Sequence, residues 1–135
     1  MWLLKTEPGD YSWDQLEKAG RARWDGVRNP AALRNLAAMQ LGDRVLVYHT
    51  GDEKAVVGLA EVVKAAYPDP KYPEGKLVVV DLEARARLAR PVTLAEIKAL
   101  AVFADSPLVR QGRLSVVPLT AAQWKAIEGL GQGRA

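Results

Sequence analysis

The sequence has 135 residues, a net charge of +3 and no cysteine, and its 49% hydrophobic and 26% charged content is typical of an ordinary globular domain. Because it has no cysteine and His49 is its single histidine, disulfides, zinc fingers, thiol nucleophiles and multi-histidine metal sites are excluded. The net charge is also too low for binding nucleic acid through electrostatics alone.

The N-terminus and the apolar runs bear on where the protein works. Residues Met1–Lys5 lack the basic leader and the long apolar stretch of a signal peptide. No apolar run approaches the roughly 20 residues that cross a bilayer. We therefore expect a single cytoplasmic domain over residues 1–135, with no membrane contact, no cofactor and no metal.

The first predicted elements are a short strand and a helix. Met1–Lys5 is apolar and predicts a strand. Ser12 and Gln15 have the spacing of a capping box, in which each side chain satisfies a free backbone N–H of the first turn. They predict a helix near 13–19, which Gly20 is expected to end because glycine adopts a left-handed conformation without strain.

A second helix and a second strand follow. Asn29 is the expected N-cap, Pro30 suits the first helical position, and Ala31–Met39 consists of good helix formers. Arg44–His49 comes directly after a Gly-Asp turn and alternates in the manner of a strand.

Two longer strands are predicted in the middle of the chain. Ala55–Tyr67 is rich in valine, and Gly58 inside it indicates a bulge or a close approach of another group. Leu77–Leu88 begins as an apolar run and continues as strict alternation. The proline-rich stretch from Tyr67 to Gly75 predicts the loop between them.

The last third of the sequence holds two more capping boxes, Thr93-x-x-Glu96 and Thr120-x-x-Gln123. They predict helices near 94–101 and 121–130, the second ended by Gly131, with a strand over Arg113–Pro118 between them.

Because turns rather than long helices separate most strands, we predict an α+β fold. Its mostly antiparallel, curved sheet is expected to form a small, partly open barrel with short peripheral helices.

Three stretches place functional side chains where a strand ends or a helix begins: Lys5–Glu7, Trp24–Asn29 and Tyr48–Gly51. Taken singly, each has a structural explanation, as a solvated strand end, a capped helix or a structural histidine. Taken together, such positions can converge on one pocket. Their donors, acceptors and indole face suit a flat heterocycle such as a nucleobase taken out of its stack.

Arginines are concentrated in two segments, residues 21–34 and 85–113. The two segments could form one basic face, or their arginines could be solvated separately on strand and helix surfaces. Under the first interpretation, the side chains expected to contact phosphates are Arg21, Arg23, Arg28, Arg110 and Arg113.

Four short motifs, "WLLKTEP", "WDGVRN", "YHTG" and "AYPD", occur in this order. Together with "PVTLAEIK" and "RLSVVPLT" further on, they make nearly the whole chain resemble the EVE domain family. The resemblance implies a PUA-like fold, a bent β-barrel with peripheral helices, related to the YTH readers of methylated adenine. It also implies binding of a modified base, with modified cytosine in DNA as the preferred ligand class and RNA as a possible carrier.

The resemblance also implies roles for particular residues. Trp24 corresponds to a cage tryptophan and is the candidate for stacking on the base. Many relatives carry a longer insert after "AYPD", so that Tyr72 is the only nearby replacement for a second aromatic wall. The remaining residues expected at the pocket or its rim are Lys5, Thr6, Asn29, Tyr48, His49, Thr50, Tyr67 and Pro68.

Two alternatives remain beside a non-enzymatic reader. Lys5, Thr6 and Glu7 are residue types found in small PUA-like amidohydrolases that act on acylated cytidines. However, adjacent residues of a strand point to opposite faces, so that Lys5 and Thr6 would diverge. A protein-interaction module would instead use Trp13 or Trp124, although both fall in predicted amphipathic helices where core packing is commoner.

The reader hypothesis makes a first prediction about Trp24. Trp24→Ala is expected to abolish selective binding and to leave the melting temperature within a few degrees, whereas a collapse of the fold would identify Trp24 as a core residue. Any effect on a pathway would require an effector protein that acts in trans.

Overall fold

Strands and short helices alternate along the chain in the computed structural model, which describes residues 1–72 and 75–132. The strands are β1 (Trp2–Thr6), β2 (Arg21–Trp24), β3 (Arg44–His49), β4 (Ala55–Pro68), β5 (Val78–Thr93) and β6 (Val116–Pro118). The helices are α1 (Trp13–Ala19), α2 (Pro30–Ala38), α3 (Leu94–Lys98), α4 (Pro107–Arg110) and α5 (Ala121–Gly131), with a 3-10 turn over Ala101–Phe103.

The six strands form one sheet in the order β2-β5-β4-β3-β1-β6. All neighbouring strands are antiparallel except β1 and β3, which are parallel. The pairing of β4 with β5 contains several register shifts, and such irregularities bend a sheet. The predicted α+β class and mostly antiparallel sheet are thus confirmed. The described strands do not close into a barrel, because no ladder joins the edge strands β2 and β6.

All three predicted capping boxes are present, at the N-termini of α1, α3 and α5. Gly20 also ends α1 as predicted, with a φ of 78°. The prediction for Gly131 is wrong, because α5 continues through it to a cap at Gln132. Gly131 packs closely against Leu88, since a Cβ there would lie 2.9 Å from Cδ1 of Leu88 and the leucine would have to shift.

Several boundaries differ from the prediction. Neither β2 nor α4 was predicted, and the predicted strand over 113–118 begins only at Val116. α3 ends at Lys98, and the chain enters the 3-10 turn shortly afterwards. Tyr67 lies in β4, in agreement with the predicted strand over 55–67, whereas Pro68 extends β4 into the predicted loop. Residues 73–74 of that loop lie outside the described residues.

Trp13 and Trp124 both lie in the hydrophobic core. Trp13 packs against Gly58, where any side chain would collide with the indole ring. The expected close approach at Gly58 and a register shift beside it are therefore both present. Neither tryptophan offers a free surface to a partner protein. Over residues 1–72 and 75–132, no helix has the length and apolar character to cross a membrane.

The capping box of α3 leads to a prediction about pH. Glu96 accepts hydrogen bonds from Arg90 at 3.0 Å and from the Thr93 backbone N–H at 3.0 Å, and these bonds lower its pKa to about 2. Because the folded-state pKa lies below the ordinary value of 4.5, the stabilising contribution is full above that value. It is lost as the pH falls from 4.5 towards 2.

NMR titration of the Glu96 carboxyl is expected to give this depressed pKa. Arg90→Gln should move it back towards the ordinary value, because the Arg90 hydrogen bond is the largest cause of the shift. An unperturbed titration of Glu96 in the unaltered protein would contradict the ion pair.

Candidate functional site

A cavity of about 560 Å³ opens between the ends of β1 and β2. Three strands separate β1 from β2 in the sheet, so that only the bend of the sheet brings their ends together. We call it the Trp24 cavity. Its lining residues are Lys5, Thr6, Glu7, Asp10, Tyr11, Arg23, Trp24, Asp25, Gly26, Val27, Arg28 and Ser115.

Two aromatic rings form a corner of the Trp24 cavity. The rings of Tyr11 and Trp24 have centroids 6.2 Å apart and planes at 89°, an edge-to-face arrangement. Trp24 is mostly buried, with 7% of its surface exposed, and belongs to the hydrophobic core. Tyr11 is held in place because its carbonyl oxygen accepts a 2.7 Å hydrogen bond from the Thr6 hydroxyl. Burial raises the pKa of Tyr11, so that its hydroxyl stays protonated at neutral pH.

Charged groups of both signs line the same cavity. Lys5, Arg23 and Arg28 are cationic, whereas Glu7, Asp10 and Asp25 supply carboxylates. The Lys5 ammonium donates a 2.9 Å hydrogen bond to the carbonyl of Gly112, and burial lowers its pKa. A planar ligand between these groups would meet both donors and acceptors at its edges.

Five of the residues proposed from the sequence therefore share the Trp24 cavity: Lys5, Thr6, Trp24, Arg23 and Arg28. Tyr11, which lies on the segment between β1 and α1, was not predicted. The only signal for it was an aromatic residue shortly after the "KTEP" motif, close to a Pro-Gly turn. Tyr11, and not Tyr72, forms the second aromatic wall.

His49 lies away from this cavity and is 7% exposed. Its Nε2 accepts a 2.9 Å hydrogen bond from the Trp13 backbone N–H, and its Nδ1 lies 2.6 Å from Oε1 of Glu53. Both ring nitrogens are thus engaged in holding the start of α1 and the turn after β3. The structure gives His49 a structural position.

The remaining predicted residues occupy neighbouring surfaces. Asn29 caps α2 by accepting a 3.1 Å hydrogen bond from the Ala32 N–H, and it lines a separate cavity of about 360 Å³ together with Arg110 and Arg113. We call this the Arg110 cavity. Tyr48 and Thr50 line a third cavity, of about 200 Å³.

Tyr67 and Arg21 belong to a polar network along the edge strand β2. The Tyr67 hydroxyl donates a 2.5 Å hydrogen bond to Asp81 and lies 3.4 Å from Nε of Arg23. Arg21 binds the other oxygen of Asp81 at 3.1 Å. Pro68 ends β4 beyond this network. None of Arg21, Tyr67 and Pro68 lines the Trp24 cavity.

The loop that follows β4 lies beside the rim of the Trp24 cavity. The guanidinium of Arg28 lies 5.3 Å from the ring centroid of Tyr72 and donates to its hydroxyl at 3.3 Å. Lys71 forms a 3.6 Å ion pair with Asp25. Tyr72 is 45% exposed and braces Arg28 from outside the cavity.

The geometry of Thr6 bears on the hydrolase alternative. A hydroxyl nucleophile needs a base within hydrogen-bonding reach of its proton. The Thr6 hydroxyl donates instead to the carbonyl of Tyr11, and Lys5 donates to the carbonyl of Gly112. Neither arrangement activates Thr6.

Comparisons with known proteins agree with the fold and the motifs. The model of the EVE domain matches residues 1–130. Thymocyte nuclear protein 1 from Gallus gallus is 32% identical, over 96% of this chain and 67% of that protein. The NMR structure of Rpa0253 from Rhodopseudomonas palustris has a TM-score of 0.90 and 45% identity, covering 96% of this chain and 91% of its own. The crystal structure of human THYN1 protein in complex with 5-methylcytosine-containing DNA has a TM-score of 0.90 and 30% identity, covering 97% and 96%.

Proposed function

The chain belongs to the EVE domain family, and from this premise we propose that it binds DNA carrying a modified cytosine and holds that base in the Trp24 cavity. The human relative with a similar fold has been solved with 5-methylcytosine-containing DNA. The observation that carries the proposal for this chain is the right-angled pair of Tyr11 and Trp24, which line one cavity together with hydrogen-bonding groups.

A base inside a duplex cannot reach such a cavity, so the target nucleotide has to rotate out of the stack. That rotation costs a few kcal/mol, which stacking on an aromatic side chain offsets by about 1–3 kcal/mol. The base packs against the part of Trp24 that lines the cavity, with Tyr11 beside it. Arg23 and Arg28 flank this position and are available for backbone phosphates.

The carboxylates of the cavity favour cytosine over thymine. Glu7, Asp10 and Asp25 accept hydrogen bonds, and cytosine presents an exocyclic amine as a donor, whereas thymine presents a carbonyl oxygen at the same position. A 5-methyl group adds apolar surface against the aromatic corner, worth about 0.8 kcal/mol if fully buried. The preference for 5-methylcytosine over cytosine should therefore be modest, about fourfold.

Fluorescence-polarisation titrations test this function. Short oligonucleotides carry cytosine, 5-methylcytosine, 5-hydroxymethylcytosine or thymine at one position, in DNA and in RNA. We expect tightest binding to DNA with a modified cytosine. Tyr11→Leu should weaken binding roughly tenfold, because it removes one aromatic wall. Tyr72→Leu is the matched control, because Tyr72 lies outside the cavity. It removes the brace of Arg28 but should keep the preference for the modified base and weaken binding less than Tyr11→Leu does.

Equal affinity for cytosine and its modified forms would overturn the proposal, as would an equal effect of the two tyrosine variants. A preference for the modified base that is seen only in RNA would leave the Trp24 cavity as the base-binding site and identify RNA, not DNA, as the nucleic acid. The same preparation is incubated with an acetylated cytidine, and no release of acetate is expected. Acetate release that is lost in Lys5→Ala would favour the amidohydrolase alternative instead.

A further inference from the structure

The cavity that Tyr48 and Thr50 line has only lysines as charged side chains. Its volume is about 200 Å³, and its lysines are Lys5, Lys54 and Lys98. No carboxylate lines it, in contrast to the Trp24 cavity next to it. We call it the lysine cavity.

The three lysines differ from five of the arginines in how their charge is balanced. Within residues 1–72 and 75–132, none of the three forms an ion pair, whereas carboxylates pair with Arg21, Arg85, Arg87, Arg90 and Arg110. Three cations that converge on one cavity without a carboxylate create a positive potential there. An anion would lower the free energy of this arrangement.

One hydroxyl group adds a hydrogen-bond donor to the same cavity. Tyr48 is 4% exposed, lines the cavity, and its hydroxyl forms no hydrogen bond with any residue of the described ranges. This hydroxyl is therefore free to donate to a ligand in the cavity. The Thr50 hydroxyl also lines the cavity, but it donates to Oε2 of Glu7 at 3.3 Å, so that Tyr48 supplies the free hydroxyl donor. Ammonium and hydroxyl donors together suit phosphate oxygens.

The lysine cavity lies between two other candidate sites. Lys5 lines both the Trp24 cavity and the lysine cavity, and Gly112 lines both the lysine cavity and the Arg110 cavity. The Lys5 ammonium bonds the carbonyl of Gly112, and these two shared residues place the three cavities side by side in a row. A strand with its base in the Trp24 cavity could extend its backbone along this row.

We infer that the lysine cavity is a phosphate-binding subsite, in which Lys54, Lys98 and the hydroxyl of Tyr48 hold a phosphate of the strand whose base occupies the Trp24 cavity. The inference rests on the proposed function for the source of the phosphate. The chemistry of the subsite itself would be the same for free phosphate.

The test removes two positive charges without disturbing the backbone. Lys54 has a φ of 45°, in the left-handed region that asparagine tolerates better than most residues, so Lys54→Asn is combined with Lys98→Gln. The matched control is Lys18→Gln with Lys125→Gln, which removes the same charge from exposed positions outside the cavity. Both proteins are titrated by fluorescence polarisation with DNA containing cytosine or 5-methylcytosine, at several salt concentrations.

We expect the Lys54/Lys98 variant to bind both oligonucleotides roughly eightfold more weakly at about 0.1 M salt, with a salt dependence reduced by about one phosphate contact. The ratio between the two affinities should stay unchanged, because the base lies in the other cavity. Affinity and salt dependence equal to those of the control variant would overturn the inference.

Two further outcomes separate the inference from the proposed function. If the protein binds DNA without any preference for the modified base, and the Lys54/Lys98 variant is weaker, the subsite stands and the proposed function fails. If no oligonucleotide binds, an NMR titration with inorganic phosphate decides. Amide shifts at Thr50 and Gly51 that are absent from the variant would establish a free-anion site and overturn its assignment to a strand. The absence of such shifts would overturn the subsite altogether.

Discussion

Trp24→Ala is expected to lower the free energy of unfolding by about 3–5 kcal/mol and to abolish the preference for modified cytosine. Trp24 is 7% exposed and meets Tyr11 edge to face, so that truncation leaves a cavity in the core as well as removing a wall of the site. For a domain of this size, the melting temperature should fall by roughly 10–15 °C. This replaces the smaller change expected from the sequence.

Because Trp24→Ala changes stability and binding together, a second variant is needed to separate them. Trp24→Phe keeps an aromatic ring and much of the volume, and should lose less stability and retain weakened binding. Calorimetry measures the melting temperatures, and fluorescence polarisation at a temperature where every variant is folded measures the affinities. A melting temperature of Trp24→Ala within a few degrees of the parent would show that the core does not depend on this side chain. Unchanged selectivity in folded Trp24→Ala would remove Trp24 from the site.

Gly58→Ala is the second change with a large expected effect, here on folding. A Cβ built on Gly58 would lie 2.5 Å from Cε2 of Trp13, and Trp13 is fully enclosed by the core. The ring cannot move without displacing α1, whose first N–H is bound by His49. Overpacking of this kind costs about 1–3 kcal/mol, and more where the neighbour is rigid.

Gly129→Ala is the matched control for this experiment. Gly129 lies inside α5, and a Cβ there meets no other atom within 4 Å. Alanine should therefore stabilise the protein, by up to about 1 kcal/mol, because it favours the helix more than glycine does. Urea unfolding of both variants measures the two effects, which should have opposite signs. A neutral Gly58→Ala would mean that Trp13 has room to shift.

Local features of the fold were predictable from the sequence. Each capping box joins residues three positions apart, and the left-handed end of α1 at Gly20 depends only on the backbone of that residue. The strand β3 was also predicted, although its residues from Val45 to His49 are all buried and do not alternate. The glycine inside β4 correctly indicated a close contact. The short strand β2 escaped prediction because its four residues form a strand only through pairing with β5.

Which residues make up the candidate site depended on the tertiary structure more than the local features of the fold did. The sequence by itself determined the fold class, the family motifs and the tryptophan, because these follow from local pattern. It could not show that Tyr11 meets Trp24, since three strands lie between β1 and β2 in the sheet. The ends of β1 and β2 approach each other only where the sheet bends. The sequence also could not show that neighbouring residues of the "YHTG" motif have different surroundings. The fold buries His49 against α1, whereas Thr50 lines the lysine cavity. Residue order fixes which groups are available, whereas the packing of distant strands decides which of them share a cavity.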